Sequence, residues 1–203
     1  MILIGYSGHA FVVYGILIAA GKKVTGYCDN EEKQYNPFTL QYLGKENSDA
    51  ALAAFAATGF FIAIGDNAIR EKIYRVFAAK DMFPSNAIHP SAVIDASATI
   101  AVQGVMIAAK AVINPLATIG TGAICNTGCI IEHECVVGNF AHIAPGAVLC
   151  GNVKVGNSSF IGANAVIKQG VIIGNNVMVG AGAVVLKDVP DNTTVIGVPA
   201  QIK

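Results

Sequence analysis

The chain has 203 residues, 54% of them hydrophobic and only 13% charged, with Lys+Arg and Asp+Glu equal at 13 each. So sparse and balanced a charge excludes a basic nucleic-acid surface, and five cysteines without a Cys-x-x-Cys fit reduced thiols rather than a disulfide framework. The longest apolar runs, Phe11–Gly21 and Ala50–Gly65, are too short for a membrane span or are broken by Thr58 and Gly59, and Met1 opens without a basic leader; the expectation is a soluble, cytoplasmic protein with neither nucleic acid nor membrane as partner.

Met1–Gly5 reads as a buried strand, followed by Gly5-Tyr6-Ser7-Gly8-His9 and an apolar helix over Ala10–Ala20. Val24–Cys28 is a second strand ending at Asp29-Asn30, and Glu31 to about Asn47 reads as a polar loop with Pro37 and Gly44 as turn signals. Ser48-Asp49 caps a helix over Ala50–Ala57, Phe60–Gly65 is a third strand, and Asp66-Asn67 caps a helix over Ala68–Lys80. Strands alternating with helices predict a small Rossmann-like parallel α/β domain over residues 1–84. The glycine-rich turn at Gly5–Gly8 aims backbone N–H groups at a phosphate. Asp29, some twenty residues on, stands where an acidic residue meets ribose or base. Gly65-Asp66-Asn67 adds a third loop on the same edge, so the three together predict a nucleotide crevice.

From Ile107 to Val185 an inward-type residue recurs every sixth position (Ile107, Ile113, Ile119, Cys125, Ile131, Val137 and onward), with a small or β-branched residue two places before each. Neither a helix nor a lone strand has a period of six. Three short strands joined by tight turns do, so residues 85–203 predict a left-handed parallel β-helix of hexapeptide repeats. Glycine often follows the inward residue, as at Gly120, Gly138 and Gly156, and glycine or a small polar residue suits the corner, which the backbone turns sharply and often with φ > 0. The earlier beat of Ile88, Ile94 and Ile100 is one residue out of phase, which predicts a bulge at Val102–Gly104. Lys187–Ala200 reads as a final strand and a turn.

Glu132-His133-Glu134 follows inward Ile131 and so falls on a corner, where an imidazole flanked by carboxylates has the parts of a general base. Eighteen residues on, one coil away, Gly151 offers an uncrowded N–H for a developing oxyanion. His142 precedes inward Ile143, so its ring points out from a prism face, toward a ligand laid there or toward solvent. His89 reads as a structural cap, and His9 stands at a helix start, either binding phosphate or packed. Cys129 and Cys135 belong to packing, Cys125 takes an aliphatic slot, and Cys150, at a corner, is the one thiol to weigh as a nucleophile.

Taken together, Gly5-x-Ser7-Gly8-His9, Asn126-Thr127, Ile131-Glu132-His133-Glu134-Cys135, Phe140-Ala141-His142, Gly151-Asn152-Val153 and Gly197-Val198-Pro199-Ala200 resemble the hexapeptide-repeat sugar O-/N-acyltransferases, of the sialic acid O-acetyltransferase and UDP-4-amino-sugar N-acetyltransferase type. The resemblance implies a homotrimer with acetyl-CoA between adjacent solenoids and a nucleotide sugar on the N-terminal domain, in surface-glycan or glycoprotein sugar biosynthesis. It implies His133 as base supported by Glu134, and cofactor contacts at His142, Gly151, Gly162, Gly180 and Pro199. Substrate contacts fall at Ser7, Gly8, His9, Asp29, Gly65, Asn67 and Asn126, with no metal. Gln201 stands where the family's closing motif carries a basic residue. The alternatives are sugar O-acetylation, a γ-carbonic-anhydrase-like zinc enzyme, a sugar nucleotidyltransferase with a solenoid tail, for which the N-terminal region is short, and a non-catalytic trimeric scaffold. Zinc chemistry needs three convergent histidines, and His133 and His142 are not equivalent on the prism.

Overall fold

A computed structural model describes the whole chain, Met1–Lys203. The N-terminal part is built from β1 (Ile2–Ile4), α1 (Gly8–Ala19), β2 (Gly26–Cys28), β3 (Gln41–Tyr42), α2 (Asp49–Thr58), β4 (Phe60–Ile62) and α3 (Asn67–Ala78). All four strands are parallel, in the order β3-β2-β1-β4. Strands β1, β2 and β4 are buried throughout, as continuous apolar runs covered by helices must be. The chain winds one way from β1 to β3 and then returns to place β4 on the other side of β1, so the loops after β1 and β4 flank a topological switch point. Ser48 Oγ accepts from Ala51 N–H at 3.2 Å and Asp66 Oδ1 from Ile69 N–H at 2.8 Å, which start α2 and α3 where the sequence places their caps. Strand β3 lies inside the stretch expected to be loop. It is two residues long with Gln41 exposed, too short to show a period.

From Ala87 onward the chain is a parallel β-helix of two-residue strands on three faces. Each strand pairs with the one a coil away, as Ile124 with His142 and Ile130 with Val148. The second residue of each strand and the residue two places before it fill the bore, from Val105 and Ile107 to Ala183 and Val185, in one continuous core. One inserted residue between the strands Thr99–Ile100 and Met106–Ile107 puts Ile88 opposite Ile107, and the expected bulge is there, with Val102 82% exposed.

The corners correct one expectation. The glycines that follow an inward residue do not adopt positive φ; the left-handed residue lies three places after it, at every corner from Lys110 to Gly182, and is most often Gly, then Asn. Glycine follows the inward residue for another reason: a Cβ at Gly138 would lie 2.7 Å from the Gly156 carbonyl carbon and the Asn157 nitrogen of the next coil, and one at Gly156 would lie 2.5 Å from the Gly174 carbonyl. Beside these glycines runs a ladder in which Thr121, Asn139, Asn157 and Asn175 N–H donate to the side-chain oxygens of Asn139, Asn157, Asn175 and Asp191. The C-terminus also exceeds its reading: Thr194–Ile196 joins the stack in parallel and then turns back to pair antiparallel with Gln201–Ile202.

The first face carries Ala87, Met106, Ile124, His142, Phe160 and Met178 at its outward positions. The N-terminal domain covers its early coils, and Met106, Ala108 and Ile124 join Leu3, Tyr6, Ala10, Leu17 and Phe61 in one cluster. The second face presents Val93, Val112, Ile130, Val148, Val166 and Val184 outward, all apolar and β-branched and none fully buried. The third face presents Thr99, Thr118, Val136, Lys154 and Ile172.

Because the coil-to-coil distance leaves no room for a Cβ, Gly156→Ala should lower the unfolding free energy in urea titrations by about 1–3 kcal/mol. Gly128→Asn, at a left-handed corner with open space around it, should stay within about 0.5 kcal/mol of the parent.

Candidate active site

Three loops meet at the carboxyl edge of the small sheet. Gly5, Tyr6, Ser7, Asp29 and Asn30 line a cavity of about 370 Å³ together with Glu46, Ile69, Lys72 and Ile73. Ser7 precedes α1 in extended conformation, its hydroxyl makes no cap, and Gly8 beside it is exposed, so both are open to a ligand. Asp29 is more committed than its position after β2 suggests. Its Oδ2 accepts from Tyr6 N–H at 3.0 Å, while Oδ1 accepts from Asn30 N–H at 2.7 Å and pairs with Lys33 at 3.1 Å. It therefore ties the glycine-rich turn to the end of β2 as well as edging the cavity. Burial, with the Glu46 and Asp29 carboxylates nearby, pushes the Cys28 thiol up to about 12 and removes it from consideration as a nucleophile.

The Gly65–Asn67 turn separates this space from a second cavity of about 580 Å³, which lies against the first face and is lined by Gly65, Asp66, Asn67, His142, Ser158, Phe160, Asn176 and Met178. Asn67 Nδ2 donates to the Ser158 carbonyl at 3.0 Å, and Ser158 Oγ donates to Glu71 at 2.8 Å, both bridging domain to solenoid. His142 points out from its strand as expected, but it is only 7% exposed, because the N-terminal domain covers it. Its ring lies 6.1 Å from that of His9 and edge-on to Phe160. Asn126 Oδ1 accepts from Thr127 N–H at 2.8 Å, which turns its amide nitrogen toward His142 Nε2 at 3.1 Å. Burial and then the Arg70 charge push His142 down to about 3 and His9 to about 4, with His9 adding to the effect on His142 and the Gly65 carbonyl opposing it.

His133 sits between the strands Ile130–Ile131 of the second face and Val136–Val137 of the third. That corner is opposite the first face, so His133 and His142 are on different sides of the same prism. His133 Nδ1 lies 3.1 Å from Glu134 Oε2, both side chains being half exposed. In the tautomer whose Nδ1–H donates to that carboxylate, Nε2 is left as the acceptor. Gly151 lies directly beneath: a Cβ there would fall 2.5 Å from His133 Nε2 and Cε1. The Gly151 N–H donates to no group within the chain. An imidazole and an uncommitted backbone N–H thus lie at one corner, a coil apart.

The remaining expected positions are apart from both groups. Gly162 and Gly180 N–H donate into the ladder at 2.8 Å, and a Cβ on Gly162 would meet the Ala181 nitrogen at 2.5 Å, so coil stacking accounts for these glycines. Pro199 borders a cavity of about 320 Å³ at the C-terminal end, with Leu186, Val189 and Ile202. Cys150 is half buried beside Gly151. No group of three or more His, Cys, Asp or Glu side chains converges as a ligand set for a metal, and no helix is long and apolar enough to cross a membrane. Sequence reasoning missed Arg70, Ser158, Phe160 and Met178; the last two share the outward beat with His142, one and two coils on.

Residues 1–77 match the family described as the PglD N-terminal domain, and residues 152–187 match the bacterial transferase hexapeptide (six repeats). No curated protein sequence matches the chain. Among solved structures it is similar to a mutant of perosamine N-acetyltransferase from Caulobacter crescentus in complex with CoA and GDP-perosamine, at 38% identity over 100% of this chain and 95% of that one, with a TM-score of 0.91. The acetyltransferase domain of PglB from Neisseria gonorrhoeae, in complex with acetyl coenzyme A, is similar at 34% identity over 100% and 98%, TM-score 0.90. WeeI from Acinetobacter baumannii follows at 25% identity over 100% and 98%, TM-score 0.79.

The two buried imidazoles make stability depend on pH. Folded, they stay neutral to about pH 4 (His9) and 3 (His142); unfolded, they take up protons near the ordinary 6.5. Their contribution is complete above pH 6.5 and is lost as the pH falls toward those folded values. Between that pH and about 5, urea unfolding should show stability falling by up to about 1.4 kcal/mol per pH unit for each histidine, and His142→Gln should remove about one proton from the slope.

Proposed function

The chain belongs to the CoA-dependent hexapeptide-repeat sugar N-acetyltransferases with a PglD-type N-terminal domain, and on that premise we propose that it moves an acetyl group from acetyl-CoA to the amino group of a nucleotide-linked amino sugar. Residues 1–84 serve as the nucleotide-sugar unit and residues 85–203 as the acyl-transfer unit. The observation that carries the chemistry is Gly151 seated under His133 with its N–H unengaged. The nucleotide occupies the cavity at Ser7, Gly8 and Asp29, with the helix N-terminus facing its phosphates. Uridine diphosphate is the nucleotide implied by the family resemblance, and guanosine diphosphate is the one carried by the perosamine relative. The sugar reaches past Gly65 and Asn67 toward His142 and Asn126, and the pantetheine arm runs along Phe160, Met178 and the corner of Gly162 and Gly180 toward Pro199.

In the transfer, the sugar nitrogen attacks the thioester carbonyl while His133 Nε2 removes its proton and the Gly151 N–H stabilises the oxyanion. Collapse expels the thiolate, which takes the proton back from the imidazolium. Glu134 holds the tautomer and supports the transient charge.

One chain cannot complete this site, since its base stands on the corner opposite the face that borders the second cavity, and the nucleotide cavity is lined by the N-terminal domain alone. The smooth second face supplies the remedy. Its six outward β-branched residues, from Val93 to Val184, are a ready surface for a second copy, and closed three-fold packing brings the His133 corner of one protomer to the His142 face of its neighbour.

With acetyl-CoA and a panel of UDP- and GDP-linked amino sugars, thiol release should fall at least about 100-fold in His133→Ala while the assembly stays intact; near-parent turnover rejects the assignment. Val148→Asp, which places a charge on the smooth face, should yield monomers by light scattering and abolish turnover. Retained activity in such monomers rules out a shared site.

A further inference from the structure

The Gly65–Asn67 turn that divides the two cavities is anchored by a single buried cation. Arg70, one turn into α3, is 2% exposed, and no carboxylate lies within ion-pair distance of it. All its hydrogen-bonding capacity goes to neutral oxygens. Nη1 donates to the Ile64 carbonyl at 3.1 Å and the Gly65 carbonyl at 3.0 Å, and Nη2 donates to Asn67 Oδ1 at 2.8 Å. Nε donates to the Gly122 carbonyl and Nη2 to the Phe140 carbonyl, both at 2.8 Å.

The last two acceptors belong to successive coils, and both are left-handed corner residues. Gly122 is glycine because a Cβ would fall 2.5 Å from the Phe140 ring, which packs edge-on against Tyr74 of α3 at 5.2 Å. The coil corners are thus shaped to receive the guanidinium. An isolated buried cation is expensive, and an uncharged amide makes fewer bonds in the same place; only a planar fork of five donors spans a turn and two coils at once. Its charge also faces the two histidines whose His142 Nδ1 and His9 Nε2 are buried without a hydrogen-bond partner.

We propose that Arg70 is the positioning residue of the acceptor site, fixing the Gly65–Asn67 turn against two successive coils and so setting where a substrate meets Asn126 and His142. The inference rests on the acyl-transfer reading above. The groups that face the imidazoles electrostatically are few. Arg70 and His9 act on His142, Arg70 acts on His9, and Asp66 and Glu71 act on Arg70 itself. Because the amide of Asn126 is oriented by Thr127, His142 must accept at Nε2 and carry its proton on Nδ1. Protonating the ring would set N–H against N–H and break that contact, and the Arg70 charge opposes this.

The two roles separate in two variants of the full-length assembled protein. Arg70→Lys keeps the charge and loses the fork, so kcat should fall roughly 10- to 100-fold while the acid limb of kcat/KM stays in place. Arg70→Met loses both, so the His142 ring, followed by NMR, should also take up its proton at higher pH, by on the order of one unit. Hydrogen exchange gives a readout independent of turnover: the amides of Ile69 and Arg70, which donate to Asp66 at the end of the turn, should lose protection in Arg70→Lys while those of the solenoid coils keep theirs. Parent-like kcat with unchanged protection in a folded Arg70→Lys overturns the proposal, as does a loss confined to KM. Should the parent protein acetylate none of the nucleotide sugars, it is the acyl-transfer reading that fails, and the exchange pattern still decides whether Arg70 fixes the turn.

Discussion

The bore of the prism is the constraint from which the rest follows. It is wide enough for one branched side chain and one small one per strand, as with Ala141 beside Ile143 or Ala147 beside Leu149, and a second large residue would overfill it. That limit holds each strand to two residues and returns the chain to the same face after a full coil, so every position has a vertical neighbour a fixed distance away. The asparagine ladder, the corner glycines and the seat of His133 over Gly151 are consequences of one register. Nothing need be arranged separately to bring an imidazole and a backbone N–H together; the stacking distance does it.

Onto this rigid column the small α/β domain is docked by polar groups as well as apolar ones. Met106 and Ile124 merge with the helix α1 side of the domain, while Asn67, Arg70 and Glu71 reach the corner carbonyls and Ser158 from α3. The division of labour matches the materials. Loops at a sheet edge, which can vary and adapt, border the two cavities, and coil corners, fixed by the stack, carry His133 and Gly151. The turn between the two cavities belongs to both systems, since it edges a cavity and is bonded to a coil corner at once.

Much of this was legible in the residues. The six-beat from Ile107 to Val185, the phase slip at Val102–Gly104, the caps Ser48 and Asp66 and the corner position of His133 are all present as read. What the residues do not show shares one cause. Glycine after an inward residue reads as a positive-φ corner, which is a local property, whereas its need comes from the backbone of the next coil. Strand β3 and the closing antiparallel pairing of Gln201–Ile202 exist only because a partner strand lies beside them. Asp29 sits where a ribose ligand is expected, yet most of its bonding goes to Tyr6, Asn30 and Lys33.

A periodic pattern of side-chain size determines a solenoid because each coil meets only copies of the same pattern, so period, bore, corners and vertical register are all encoded within a few coils of sequence. The sequence by itself therefore determined the β-helix, the parallel α/β domain before it and the pairing of His133 with Gly151. Tertiary structure decided what the two parts do to each other. It buried His142 under Gly65 and beside His9, opposite the His133 corner, and it enclosed Arg70 among carbonyls drawn from both sides. Those contacts join residues 52 and 70 positions apart along the chain, from Arg70 to Gly122 and Phe140. No periodicity links such positions, because they are brought together by the docking of two surfaces rather than by the repeat of one.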